Sequence, residues 1–389
     1  MRRQLGRRFG GRQGRCFGDR WGDRCGGRPT QGSRPVAALL LAFLCALLSG
    51  TPAPALAQIA QAQVSPGLAA PVRVESGAMA ESAGRSLSVQ FDNDEFAGIN
   101  RRDRWYSQAF RIHYFAAATA DSWAGQAARR WCDWQTCAAG ATASRRWSLG
   151  QNAYTQNDRN LPAVDPYDRP TAGWLYASGA LLLESANETR MLELQLGVIG
   201  PASGAERLQN QWHRLLGVDA VRGWSSQLRP RAGVQLQLLQ ERRYPLMGDR
   251  LDLVGRASLS VGSVSGQASV GAVLRLGDRL SGTATAAEAQ MATGRIASGG
   301  LWSVQAGVAL RAVAYDRLID GPAFGYDPQV RHAPWVGEIH LGATLAPMPD
   351  WQLRFALIRR SIDFDSSAVA QGRFKAQTFG VIQASVVLR

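Results

Sequence analysis

In the segment Leu208-Gln209-Asn210-Gln211-Trp212-His213, an amide and an imidazole stand four residues apart. On a helix Gln209 and His213 therefore share one face, and Leu208, Trp212 and Leu215 share another. More than a hundred residues upstream lies Phe91-Asp92-Asn93-Asp94-Glu95, with an Asn-Asp pair. A helix that presents Gln209 and His213 together, with Asn93 and Asp94 brought in from elsewhere, can orient a water and take its proton. His213 is also readable as a helix-surface histidine, and Asn93-Asp94 as a turn.

The elements that must position these residues are β-strands. Leu251, Leu253, Gly255, Ala257, Leu259 and Val261 share one face, with Asp252, Arg256, Ser258 and Ser260 on the other. Leu192 to Val198, Ala232 to Leu238 and Trp302 to Leu310 alternate in the same way. An apolar outer face recurring from strand to strand, over an inner face that carries charge, fits a transmembrane antiparallel β-barrel. A soluble sandwich would turn its apolar faces inward. The pattern predicts an all-β fold of about twelve strands: 86–92, 105–115, 146–154, 173–184, 189–199, 230–241, 250–261, 266–276, 301–314, 335–346, 351–361 and 377–388. An even count puts both termini in the periplasm. The tight connections at 186–188 and 347–350 are then periplasmic, and 93–104, 155–172, 200–229, 315–334 and 362–376 are outer connections. Segments 116–144 and 277–300 read as insertions in periplasmic turns.

The N-terminus reads as a signal peptide over residues 1–57. Ten arginines and two aspartates precede the apolar run Val36 to Leu48, and Ala55-Leu56-Ala57 supplies the small-x-small cleavage pattern. The full chain has 44 basic and 30 acidic residues. Removing ten and two leaves 34 and 28, a net of +6, so the high net charge is largely a leader property and does not argue for nucleic acid. Residues 58–85 read as a flexible arm, and 86–389 as the barrel. Three of five cysteines leave with the leader; Cys132 and Cys137 remain, and in an exported chain they are expected to form a disulfide.

This topology brings the suspicious residues to one end. Alternation predicts that strand 1 carries Ser88, Gln90, Asp92 and Asp94 inward, and that strand 2 carries Ser107, Arg111 and His113 inward. The helix with Gln209 and His213 belongs to an outer connection. Asn93, Asp94, Ser107, Gln209 and His213 are thus expected to meet at the outer end of the barrel, where the leaflet is lipopolysaccharide.

Several motifs follow in order: Asn93-Asp94, Asp103-Arg104-x-Tyr106-Ser107, Asp168-Arg169-Pro170-x-Ala172-Gly173, Glu193 to Pro201, Gln209-x-x-x-His213, Gly223-Trp224-x-x-Gln227 and Leu318-Ile319-Asp320-Gly321. Together they resemble the outer-membrane lipid A 3-O-deacylases over nearly the whole mature length. The resemblance implies a calcium-dependent enzyme of the Gram-negative outer membrane that hydrolyses the ester at the 3-position of lipid A. Its roles map on His213 as the base for water, Asn93 and Asp94 as the asparagine-aspartate pair, Ser107 as the strand-2 hydroxyl, and Gln209. Asp94 and Glu95 are the metal candidates, hard oxygen ligands suited to calcium. The expected partners are lipid A and outer-membrane lipids, with no nucleic acid and a monomeric chain. Ser107 stands where the family often has threonine, and Thr171 where it often has an aromatic.

Two other classes stay open. An outer-membrane phospholipase or other esterase would need a serine nucleophile beside a histidine, and no such pattern stands out. A non-catalytic barrel would retain the fold without needing Asn93, Asp94 and His213. Asp168 and Arg169 read as loop stabilisers, Trp212 and Trp224 as packing or interface anchors, and His113 and His340 as lumen residues. His332 has no evident partner in the sequence.

Overall fold

A computed structural model describes residues 84–97, 104–161, 165–283, 300–325 and 328–389. The expected signal peptide and nearly all of the N-terminal arm lie outside these residues. Twelve strands form one closed antiparallel barrel. They are β1 (Arg85–Asn93), β2 (Trp105–Ala117), β3 (Thr142–Thr155), β4 (Ala172–Glu184), β5 (Glu188–Ile199), β6 (Arg231–Met247), β7 (Leu251–Gly262), β8 (Ser265–Gly277), β9 (Trp302–Asp316), β11 (Trp335–Met348), β12 (Trp351–Arg360) and β14 (Gln377–Leu388). Each pairs with its barrel neighbour in chain order, and β14 closes on β1 from Arg85↔Leu388 to Asn93↔Gly380. Two short strands, β10 (Arg331–His332) and β13 (Phe364–Asp365), pair outside the barrel. The twelve expected strands are all present. The largest differences are β3, which starts earlier, and β6, which runs on to Met247, because polar residues beyond the apolar band still complete ladder pairs.

Closure leaves no sheet edge in lipid, so the backbone of every barrel strand is paired. Alternation then sorts the side chains. Trp147, Leu149, Leu194, Leu196, Leu236, Val308, Ile339 and Leu341 are exposed on the outer wall, while Ser88, Gln90, Asp92, Arg111, His113, Glu193, Arg256 and His340 are buried. Buried charges must be paired to be tolerated, and inside this barrel arginines meet carboxylates. Arg111 bonds Asp92 at 2.6 Å, Arg146 bonds Glu193 at 2.8 Å, and Arg243 and Arg275 share Asp252 at 2.6 and 2.8 Å. In the outer half, a cavity of about 60 Å³ remains beside Arg169, Arg311 and Arg360, room for a few waters.

At the periplasmic end, helix α1 (Trp123–Trp134) begins at Ser122, whose side chain accepts from the Gly125 amide. Cys132 and Cys137 are disulfide-bonded just past it. Ala124 and Ala128 of α1 pack against Leu181 and Leu183, whose neighbours Ala180 and Leu182 face the interior beside Phe115. The insertion is therefore packed against the outside of the wall. At the opposite end, Trp105, Ile319, Val330, Phe364, Ala368 and Phe374 form an apolar cap over the mouth.

Glu338 ties this interior together. It accepts from Arg360 at 2.6 Å and Arg311 at 2.7 Å, and the Arg360 guanidinium lies 4.9 Å from the Phe379 ring centre and 5.4 Å from that of Tyr106. Glu338→Ala would strand the buried Arg360 and the partly buried Arg311. It should cost roughly 3–5 kcal/mol, read as a lower denaturant midpoint for the heat-modifiable gel shift of the folded barrel. An unchanged midpoint would show that the two arginines find other partners.

Candidate active site

The site is built by one irregularity in β2. Opposite β3, Tyr106 pairs with Tyr154 and Gln108 with Ala153, so Ser107 is an extra residue. Such a bulge places two successive side chains on one face. Tyr106 stays inside, where its hydroxyl bonds Asp92 at 2.5 Å and accepts from Arg111 at 2.8 Å. Gln108 pairs with Asn93, and Phe110 with Phe91, on the outer face. Ser107 accordingly faces outward, which corrects the expectation from alternation; Arg111 and His113 face the lumen as expected. Asp94 follows the end of β1, so alternation no longer governs it. Its amide reaches the Ser107 carbonyl at 3.4 Å, and its carboxylate accepts from the Arg104 amide at 2.8 Å.

Helix α2 (Ala205–Leu216) lies against this outer face. Its start is held close to β4 through Gly173, where a Cβ would stand 2.0 Å from the Ser203 hydroxyl. Its end is a Schellman turn at Gly217, which has φ 69°: the Gly217 amide reaches Arg214 O and the Val218 amide reaches His213 O. That turn brings the Asp219 carbonyl back to His213 Nδ1 at 2.7 Å. A carbonyl only accepts, so Nδ1 carries the proton and Nε2 is left as the basic nitrogen. Asp219 thus acts on the ring through its backbone and not through its carboxylate. Asn210 accepts from the Val221 amide at 3.0 Å and ties the returning loop to the helix.

Gln209 and His213 are buried, and Leu208 and Leu215 on the other face are exposed. Gln209 donates to the Ser107 hydroxyl at 3.3 Å and accepts from the Trp224 indole at 3.1 Å, which sets the orientation of its amide. Ser107 in turn donates to the Ala153 carbonyl at 3.2 Å. Trp212 meets Phe91 edge-on at 5.4 Å, which anchors the His213 end of α2 to β1 beside Asn93 and Asp94. Ser107 thus touches Gln209 and Asp94 directly, and the Phe91–Trp212 contact brings the His213 end of α2 to the strand that ends in Asn93, so the five candidates gather where α2 meets the outside of the wall. Asn93 also makes a local turn, accepting from the Glu95 amide at 2.7 Å. Glu95 is directed to Arg159, 3.9 Å away.

Sequence reasoning missed the supports. Trp224 was readable as packing, yet it fixes Gln209; its signal was its place in the Gly223-Trp224-x-x-Gln227 motif. The Asp219 and Ala153 carbonyls and the Arg104 amide are backbone groups, which no residue type reveals. Asp168 holds the outer loops, accepting from the Trp105 indole at 2.9 Å and from the amides of Asn157 and Arg169. Burial pushes its carboxyl up to about 6.

The family model for the outer membrane protein LpxR matches residues 40–388. The chain belongs to the LpxR family. LpxR from Salmonella typhimurium has a similar solved structure, with TM-score 0.64 and 17% identity over 78% of this chain and 100% of that one. The β domain of the Bordetella autotransporter BrkA (TM-score 0.40, 11% identity, 78% and 99% covered) and an outer membrane channel from Pseudomonas putida F1 (0.40, 13%, 81% and 100%) are more distant. No curated protein matches the sequence. As in the family's name, this barrel is an outer-membrane protein, and the Salmonella LpxR fold is its fold.

His332, partnerless in the sequence, latches the outer loops. Its ring meets Asp320 at 2.8 Å and its amide donates to the same carboxylate at 2.9 Å. The hydrogen bond to Asp320 raises the imidazole pKa, and those from His332 and the Asp316 amide lower that of the carboxyl against the opposing effect of burial. The imidazole's contribution is complete below its ordinary value near 6.5 and fades as pH rises through its raised folded value. The carboxylate's is complete above about 3.9 and fades as pH falls through its lowered one. Hydrogen exchange at the His332 amide should therefore be most protected between about pH 4 and 6.5, and His332→Ala should flatten that dependence. Protection that rises steadily above pH 7, after correction for intrinsic exchange, would contradict the latch.

Proposed function

We propose that this LpxR-family barrel is a lipid A 3-O-deacylase, hydrolysing the ester-linked acyl chain at the 3-position of lipid A in the outer leaflet. The observation that carries the reading is the placement of His213 on a helix against the outside of the wall, with its Nδ1 proton directed to the Asp219 carbonyl. Groups on the outside of the wall are reached from the leaflet, where a lipid ester lies.

His213 Nε2 takes the proton from a water that attacks the ester carbonyl, and returns it to the leaving alcohol. Ser107 is held by two groups that are not bases: its proton goes to the Ala153 carbonyl and its oxygen accepts from Gln209. That arrangement favours water over Ser107 as the nucleophile, with Ser107 and Gln209 positioning it. Proposals built on a serine nucleophile, as in a phospholipase, gain no support from these bonds.

The donors near Asp94 fit calcium in kind. The Asp94 carboxylate is buried at the rim, and with the Ser107 backbone carbonyl, 3.4 Å from the Asp94 amide, it offers hard oxygens. Among the described residues no group of three or more His, Cys, Asp or Glu gathers, so carbonyls and waters would complete the shell. Asp94 would hold the ion, and Glu95 would have to leave Arg159 to join it. A bound calcium would polarise the ester carbonyl and steady its oxyanion.

His213→Ala should lower release of the 3-linked chain about 10²–10⁴-fold while the barrel still assembles, as read by mass spectrometry of lipid A and by the gel shift. Asn93→Ala and Asp94→Ala should behave similarly. An assembled His213→Ala barrel with full activity would remove the base. Chelation should lower turnover and added calcium restore it; undiminished turnover by the metal-free protein would take calcium out of the scheme. No acyl-enzyme should be trapped on Ser107.

A further inference from the structure

The exposed outer wall is mostly leucine, valine and isoleucine, with aromatics such as Trp147, Trp335 and Phe355 spaced around it. Beside the site three aromatic rings are in contact. Phe91 meets Phe96 edge-on at 5.4 Å on one side and Trp212 at 5.4 Å on the other. Phe91 faces outward two residues before Asn93, about 7 Å further toward the membrane interior. Val89, a further step down the same face, is exposed. Phe96 is settled on Gly380 of β14, where a Cβ would come within 2.6 Å of the Phe96 Cβ. Trp212 immediately precedes His213. Three rings thus form an apolar floor that starts at the polar site and runs down the lipid-facing wall.

We propose that Phe91, Phe96 and Trp212 form the seat of the acyl chain whose ester is cleaved, and that they set the chain length accepted. The inference rests on the deacylase reading. An ester held at the site has its carbonyl beside His213, and its chain must lead toward the bilayer interior. On this wall that path crosses Phe91, with Phe96 and Trp212 on either side. The floor is continuous with the lipid-contacting surface, so the chain reaches it without leaving an apolar surrounding. Flat rings in edge contact offer a firmer surface than neighbouring lipid tails, and longer chains meet more of it.

The test uses the full barrel in detergent micelles with two lipid A preparations that differ in the length of the 3-linked chain, and compares kcat/KM for the two. Trp212→Ala and Phe91→Ala should lower kcat/KM for the longer chain about tenfold and for the shorter chain much less; Trp212→Phe should stay near wild type. Gly380→Ala, which displaces Phe96 without removing it, should shift the same ratio. Ile339→Ala, on the lipid-facing wall of β11, should leave it unchanged. The gel shift confirms that each variant is assembled. An equal fall for both chains would mean that the rings merely hold α2 in place, and no fall would mean plain lipid contact; either overturns the proposal. If the wild-type barrel releases no 3-linked chain while remaining folded, it is the deacylase reading that fails.

Discussion

A strand that crosses lipid has two faces, and the bilayer assigns them: apolar outward, polar inward. Catalysis at a lipid ester requires the reverse locally, with polar groups on the outside of the wall. The bulge at Ser107 resolves the conflict. One added residue in β2 lets Tyr106 remain in the interior network with Asp92 and Arg111, while Ser107 and Gln108 both turn outward. Without it, Ser107 would point into a lumen that α2 does not enter, and Gln209 would have no hydroxyl to meet. Gln209 and the Ala153 carbonyl then satisfy Ser107, and Trp224 satisfies Gln209, so a polar chain runs along the outer rim with its bonds closed.

The interior supplies the stiffness this arrangement needs. The Asp92–Arg111 pair lies directly behind the bulge, and Arg111 reaches on to Asn152 of β3 at 2.8 Å. Stripping one partner from such a pair leaves a bare charge in a protein interior, which is far costlier than the pair is worth. The network thus resists any slip of β2 against β1 or β3, and a one-residue slip would return Ser107 to the wrong face.

The fold was legible because period-two alternation is enforced by lipid over every strand, and twelve segments carried it. The disulfide was legible from the compartment and the small number of cysteines. What alternation obscured was its own exception: nothing in Arg104-Trp105-Tyr106-Ser107-Gln108 announces an extra residue, since Tyr106 and Ser107 are each acceptable on a lumen face. Gln209 and His213 were found from helical spacing, and Asn93 and Asp94 as a polar pair at a strand end. Asp94 was assigned a direction by a rule that stopped applying one residue earlier. Asp219 serves through its carbonyl, which no residue type reveals, because helix termination is a backbone event that Gly217 permits but does not spell out. His332 needed Asp320, twelve residues away across a loop, and only the fold brings them together.

That helix end shows how local chain chemistry becomes orientation at the site. Gly217 can take the left-handed conformation without strain. Its turn uses the His213 carbonyl to bind the Val218 amide and sends the chain back so that Asp219 meets the His213 ring. Backbone and side chain of one residue are therefore engaged by the two sides of one turn. An imidazole on an otherwise exposed helix would sample several rotamers and both tautomers. Here the turn selects one of each, and the burial of the ring against the wall keeps it there. A carboxylate partner on Nδ1 would favour the protonated ring more strongly. The neutral carbonyl orients it with less bias toward the charged form, which suits the role proposed for it, a base that begins each cycle unprotonated.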